Sequence, residues 1–586
     1  MKNNSLLSAL CLLPLAYVLS LFVLSVLPVE LRWSEADLWL AWSLPVAGGM
    51  VIAMTFASGE RLRWRLADII VSLWALYVFV RVYVRHEWPC DTQGWKMTEM
   101  VLLYALLRML LVRGRKIPAS WLTGGIVAFG VYEALAGLWQ LASGTSRHHL
   151  FAMTGSFLNP GPYSASVMMA LTACMAVLGQ NKEKPGKTDA EGKPLWRRML
   201  PTACLLLLTV LASTWSRAAW MGCCVCGLWI YRDRYRKYRY GVWGLAAVLL
   251  MASYFVKQGS ADGRIAIWAS ALSSWKHTPW IGVGLGGFPH ACAEGMAELW
   301  RMNPSSSLFA SAGVADYACN EWLKILVEQG VTGALLSVAL VVVVMCRLYK
   351  QSQPLFFSLL SLSVFSLLSY PFEMLPYRIL VVMVAAWSAS CPSAAHSHQQ
   401  ESERLPLWKK ADVWTFLTIL TVTSGAVALR IDRQWHSDRD AALVMGSYEK
   451  AFIVDDFELL PDEADNPRFL FDFAMTLRKD RRFRDSNAIL RMGTKVSADP
   501  MFYVIMGNNY RDEGFHDRAE RSYKKAFAVM PNRLYPLYQL MLMYEEMGEK
   551  RKCREMAAKV IGMKPKVDSE ATREMKRKAK GLVYLQ

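Results

Sequence analysis

"PTACLLLLTVLASTWSRAAWMGCCVCGLWIY" occupies Pro201–Tyr231, an apolar run of about thirty residues broken only by "STWSRAAW" at 213–220. Both flanks are basic: Lys182 to Arg198 before it and "RDRYRKYR" at 232–239 after it. A single membrane crossing would place these clusters on opposite sides, against the retention of Lys and Arg on one face. Two short helices folded back on each other satisfy both flanks and leave Arg217 at or just below the far surface. Each half would span about 21 Å, less than the roughly 30 Å hydrocarbon core, so the hairpin needs a thinned or protein-lined pocket.

The rest of the chain agrees with a membrane setting. Of 586 residues 54% are hydrophobic and 23 are tryptophan, which excludes an ordinary soluble domain. The formal charge of +18 falls largely in short clusters between apolar runs, so topology rather than nucleic acid accounts for it. Apolar runs begin at Leu6–Leu27 and continue at 36–57, 66–84, 99–112, 120–142, 162–179, 200–215, 218–231, 241–256, 331–346, 355–371, 377–391 and 411–429. The expectation is an all-α bundle of about 12–13 spans.

Basic loops of one parity, "RLRWR" at 61–65, "RGRK" at 113–116, "RLYK" at 347–350 and Lys409–Lys410 among them, then face the cytoplasm together with the N-terminus. The segment from Lys257 to about Gly330 and everything after Arg430 face outward. The domains expected are a membrane part at 1–430, with a large outer loop at 257–330, and a soluble helical part at 431–586.

That last part carries a repeat. Tyr503, Gly507, Tyr510, Gly514, Ala519, Tyr523, Ala526 and Pro531 stand at tetratricopeptide positions; Tyr544, Gly548, Ala557 and Pro565 follow in register, and Phe473, Ala474, Leu477, Leu490 and Gly493 form a weaker copy before them. Small residues allow close helix pairing and proline ends the second helix, so stacked helical hairpins are predicted. Such stacks bind proteins and do no chemistry themselves.

Within the outer loop, "GRIAIWASALSSWKHTPWIGVGLGGF" (263–288) holds Gly282, Gly284 and Gly287 in dinucleotide-fingerprint spacing. The fingerprint requires a preceding buried strand and a following helix in a βαβ unit, and neither context is predicted here. Trp268, Leu272 and Trp275 recur at helical spacing, which suits a helix resting at the membrane interface. The glycines serve a turn.

Four stretches in order, "TGSFLNPGPYSA" (154–165), "STWSRAAW", "GRIAIW…GLGGF" and "CNEWLKILVEQGVTGALL" (319–336), resemble the motifs of the O-antigen ligase and polymerase superfamily over about residues 60–390. The resemblance implies an inner-membrane glycosyltransferase with a periplasmic catalytic loop. It would take a glycan from undecaprenyl diphosphate and pass it to an acceptor hydroxyl, with no cofactor and no metal. Arg217 and Arg264 match its essential arginine pair; a guanidinium fork suits the departing diphosphate and stays charged. An arginine within an apolar run also costs about 2.5–3.5 kcal/mol to insert, which argues that Arg217 is there for function. Asn320, Gly284 and Gly286 would form the wall of the donor site.

The sequence departs from the family at Cys319, where a histidine usually stands as base, and a thiol with pKa about 8.5 is a poor substitute. His290, Glu321 and Glu328 are the candidates to take the proton, with His148 and His149 open. Cys292 and Cys319 share the loop, so a bridge between them is a further option. The acceptor is lipid A-core sugar for a ligase, a second lipid-linked glycan for a polymerase, or Ser/Thr for a protein oligosaccharyltransferase. The repeats would recruit an envelope protein. A transporter or a structural scaffold is the competing class; neither accounts for a hairpin arginine, and a transporter would show paired repeats with ionisable groups at midplane.

Overall fold

A computed structural model describes residues 12–30, 32–58, 64–84, 91–114, 116–148, 150–180, 195–256, 258–391, 407–446, 453–565 and 568–584. The fold is all-α, with 23 helices and no strand among the described residues. In chain order the membrane part holds α1 (Leu13–Ser25), α2 (Glu35–Ser58), α3 (Leu66–Phe79, running on as a π-helix over Val80–Val84), α4 (Asp91–Arg113), α5 (Ala119–Ser143) and α6 (Pro160–Gln180). It continues with α7 (Leu195–Ser213), α8 (Arg217–Ile230), α9 (Arg239–Val256), α10 (Gln258–Trp275), α11 (Phe288–Met302), α12 (Glu321–Gln351), α13 (Gln353–Phe365) and α14 (Leu375–Ser390).

Among the described residues five helices are long and apolar enough to cross a membrane, in α2, α5, α6, α12 and the later helix Leu407–Gly446. Five more, α1, α7, α8, α13 and α14, are apolar but shorter. Each of the thirteen expected spans falls on a helix, yet 66–84, 99–112 and 241–256 fall outside both groups. In 99–112 the reason is charge: α4 buries Lys96, Glu99 and Arg108, so it is held by protein contacts rather than by lipid.

Helix α6 forms the centre of the bundle because its sequence is small: Pro162 to Cys174 is buried throughout. A Cβ on Gly130 of α5 would stand 2.3 Å from Ala170, and one on Gly222 of α8 would stand 2.5 Å from the Met168 sulfur. Small residues at these points let backbones approach in place of a hydrophobic driving force.

The 258–320 segment is itself folded. Helices α10 and α11 pack so closely that a Cβ on Gly295 would lie 1.9 Å from the Ser270 carbonyl oxygen. Between them the 279–284 segment pairs with the kinked start of α12, Val283 N donating to Val327 O at 2.9 Å and Val331 N to Pro279 O at 2.9 Å. Gly330 (φ +66°) breaks α12 to permit this. The interface reading of the tryptophans is corrected here: Trp268 and Trp275 pack on the buried faces of α11 and α12, and only Leu272 is exposed. Pairing with α11 supplies the apolar surface that the membrane interface was expected to supply.

Helix α15 (Leu407–Gly446) runs without a break through residue 430, and α16 (Ile453–Glu463) follows. Three helical pairs come next: α17 (Pro467–Lys479) with α18 (Phe483–Val496), α19 (Met501–Asp512) with α20 (His516–Val529), and α21 (Leu534–Glu546) with α22 (Lys550–Gly562); α23 (Glu570–Tyr584) closes the stack. Arg481, Gly514 and Gly548 occupy the same position in the three turns and all have positive φ, 60°, 82° and 72°. The repeat period is thus written in backbone geometry as well as in side chains.

Helices α15 and α16 with the pairs that follow pack against the membrane part and the 258–320 segment. Arg32 is bonded to Asp438 (2.6 Å), Glu463 and Asp465, and Thr92 N donates to Asp465. On the loop side Lys525 meets Glu294 at 2.6 Å, Asn532 Nδ2 donates to Ala312 O at 2.8 Å, and Trp300 packs edge-on to Phe527.

Candidate functional site

The α7–α8 hairpin turns at Trp215, whose φ of +50° is unusual for a bulky residue and reverses the chain within two residues. Arg217 is therefore the first residue of α8, where the positive end of the helix dipole adds to its own charge. Ser164, from the 154–165 stretch, donates to the Ser216 hydroxyl at 2.7 Å. That stretch is latched in turn by two side chains of α5. Glu133 accepts from Ser156 N (3.0 Å) and Ser156 Oγ (2.6 Å), while Gln140 accepts from Thr154 N and Gly155 N, both at 2.8 Å.

Arg264 rises from α10, half-buried, and reaches the same place. Its guanidinium lies within electrostatic range of Cys319, of Arg217 and of Tyr370. Cys319 is held with φ +48° just ahead of α12. Asn320 caps that helix by accepting from Leu323 N at 3.1 Å, and Glu321 is anchored twice, N to Ser366 O and Oε1 from Phe372 N, both 2.9 Å. Tyr370 stacks on Tyr317 with centroids 4.5 Å apart and planes within 9°. Two like charges brought together at a partly open mouth repel each other unless an anion lies between them.

The titration of the neighbours limits their roles. Burial pushes the Cys319 thiol up, and Arg264 beside it offsets that only in part, so at neutral pH less of it is thiolate, the form able to take a proton, than for free cysteine. Burial likewise raises Tyr370 to about 12, which keeps its proton on the oxygen as a donor.

The remaining predicted residues separate. His290 Nδ1 is bonded to the carbonyl of Thr494 at 2.8 Å, which ties the loop to the helical pairs. Glu328 accepts from Gly286 N at 3.1 Å and, with Glu321 and Lys324, lines a cavity of about 320 Å³ between α3, α4 and α12. Gly284 (φ +105°) and Gly286 (φ +72°) take backbone conformations that favour glycine. The very close approach is made elsewhere: a Cβ on Gly282 would lie 2.5 Å from Glu328 backbone, and one on Gly330 2.4 Å from Trp280 backbone. Cys292 and Cys319 are both free thiols, so the bridge is not formed; Cys292 is buried toward Ile267. His148 accepts from Leu150 N, and His149 lies outside the described residues.

Glu133, Gln140, Ser164, Tyr317, Tyr370 and the buried Lys324–Glu373 pair were not anticipated. Glu133 could have been, as an ionisable residue within an apolar span.

An all-helical membrane bundle with two converging arginines at the mouth of a folded loop defines the class of protein. Residues 202–338 match the family model described as O-Antigen ligase, which supports a likeness to the O-antigen ligase superfamily. The match takes in the hairpin, both arginines, Cys319 and the start of α12. Members of that family are glycosyltransferase-like enzymes of the bacterial inner membrane that act on lipid-linked glycans. No curated protein matches the sequence significantly.

Proposed function

We propose that the protein transfers a glycan from undecaprenyl diphosphate to an acceptor hydroxyl at the periplasmic face, in the manner of an O-antigen ligase acting on lipid A-core. The observation that carries this reading is the meeting of Arg217 and Arg264 beside Cys319. Two guanidiniums match a departing diphosphate, which gains charge as the glycosidic bond breaks, so their attraction is greater in the transition state than in the bound donor. The bond to diphosphate is already activated, so the reading needs neither nucleotide nor metal. The stacked Tyr317–Tyr370 pair offers a flat apolar wall for a sugar ring.

In this reading α17–α22 form a periplasmic tetratricopeptide-like domain on the catalytic face, and proton removal falls to Glu321, within electrostatic range of Cys319, rather than to the thiol. A protein Ser/Thr acceptor is the second reading, favoured by the docking of those helices on α11. The test is a deletion strain: loss of glycan from lipid A-core supports ligation, loss from an envelope protein supports the second reading, and an unchanged glycan profile in both contradicts the proposal.

A further inference from the structure

Where the helical pairs meet the 258–320 segment they leave a groove of about 1100 Å³ between α11 and α20–α22. Its floor is apolar: Trp300, Phe527, Leu537, Leu540, Met556 and Met563. Trp300 is held in place between Phe309 and Phe527, both edge-on at 5.2 Å between centroids, and is half-buried. A rigid, partly exposed indole over an apolar floor has the character of an anchor position in a protein interface.

The rim is basic. Arg301, Lys524, Lys525 and Lys559 line it against one carboxylate, Glu294, which pairs with Lys525. Lys524 and Lys559 each pair with a carboxylate one turn back on their own helix, Glu520 and Glu555 at i−4, and both lysines are more than half exposed. Such exposed pairs are weak and exchange readily for an incoming anion. The bias continues beyond the rim: from Lys550 to Lys580 the chain has twelve Lys and Arg against four Asp and Glu. None of this charge is needed by the diphosphate site.

The geometry points to this groove as the docking site for an acidic peptide segment of a partner protein, one with Glu or Asp alternating with large apolar residues. The basic rim selects the acidic side chains and sets the association rate, while the apolar floor takes the alternate ones. An anionic glycan would satisfy the rim but leave the floor uncovered. The inference is independent of the transfer reaction, since it makes no use of Arg217 or Arg264. It does place the occupant next to the catalytic loop, because Phe309 and Met296 join Ala266, two residues from Arg264, in one buried cluster.

The test uses the full-length protein in neutral-lipid nanodiscs and fluorescein-labelled peptides alternating Glu with Leu or Phe, read by anisotropy. Peptides with Lys for Glu, or Ser for Leu and Phe, serve as controls that leave the protein unaltered. The acidic apolar peptides should bind, both controls should fail, and the doubly reversed surface variant K524E/K559E should weaken binding by about tenfold or more. Absence of binding by the acidic peptides, equal binding by the Ser-substituted ones, or no effect of the double reversal would overturn the proposal. So would phosphatidylglycerol vesicles or an anionic oligosaccharide binding as tightly as the peptide and losing affinity in the same variant.

Discussion

Arg264 stands within electrostatic range of both Cys319 and Arg217, so three separate elements of the chain converge on one point. Replacing either arginine by alanine should lower glycan transfer by at least about a hundredfold, the scale for losing one transition-state charge partner. Lysine should restore little, because it lacks the planar fork. Membrane yield of each variant, measured beside transfer, separates lost chemistry from lost folding; full transfer by both alanine variants would refute the arginine pair.

Cys319→Ser should retain transfer, since burial holds the thiol protonated at neutral pH and the proton must go elsewhere. The sign is direct: a raised thiol pKa means less thiolate at pH 7. Alkylation of Cys319 by iodoacetamide should therefore be slower than that of free cysteine, with its rate rising at higher pH than the free thiol's. A serine variant without activity, or a fast-reacting thiol, would make Cys319 a participant.

Alanine at Gly282 or Gly330 should disrupt the loop, since each new Cβ meets backbone at about 2.5 Å or closer in a left-handed conformation. Valine at Gly284 or Gly286 should cost about 1–2 kcal/mol through positive φ alone and lower transfer without any nucleotide dependence. Thermal unfolding with transfer assays checks both, and wild-type behaviour of Gly282→Ala would show that the 279–284 segment is not packed as described.

Arg32→Ala should leave three carboxylates, Asp438, Glu463 and Asp465, without their shared cation. Breaking a buried ion network from one side costs about 3–5 kcal/mol. The C-terminal helices should then be cut more readily in limited proteolysis, and unchanged protection would show that the docking rests on other contacts.

The sequence made the hairpin legible because two basic flanks around one apolar run permit few topologies, and Arg217 does begin the second helix. The turns between the C-terminal helices were legible for a similar reason: Gly514 and Gly548 recur at turn positions whose positive φ favours glycine. What stayed hidden depends on partners far apart in sequence. Nothing local says that Trp268 donates to Ala318 O rather than facing lipid, or that His290 meets Thr494, because both depend on surfaces supplied by other elements. The Ser164–Ser216 contact and the Tyr317–Tyr370 stack are likewise products of tertiary packing.

The central claim, that Arg217 and Arg264 hold the diphosphate of a lipid-linked glycan, is tested most directly by reconstitution. Purified protein in liposomes, given undecaprenyl-diphosphate glycan and acceptor with chelator present and no nucleotide, should transfer the glycan and release undecaprenyl diphosphate in equal amount. The R217A/R264A protein, inserted to the same level, should do neither. Transfer that stops on chelation or requires nucleotide, or equal transfer by the double variant, would contradict the account.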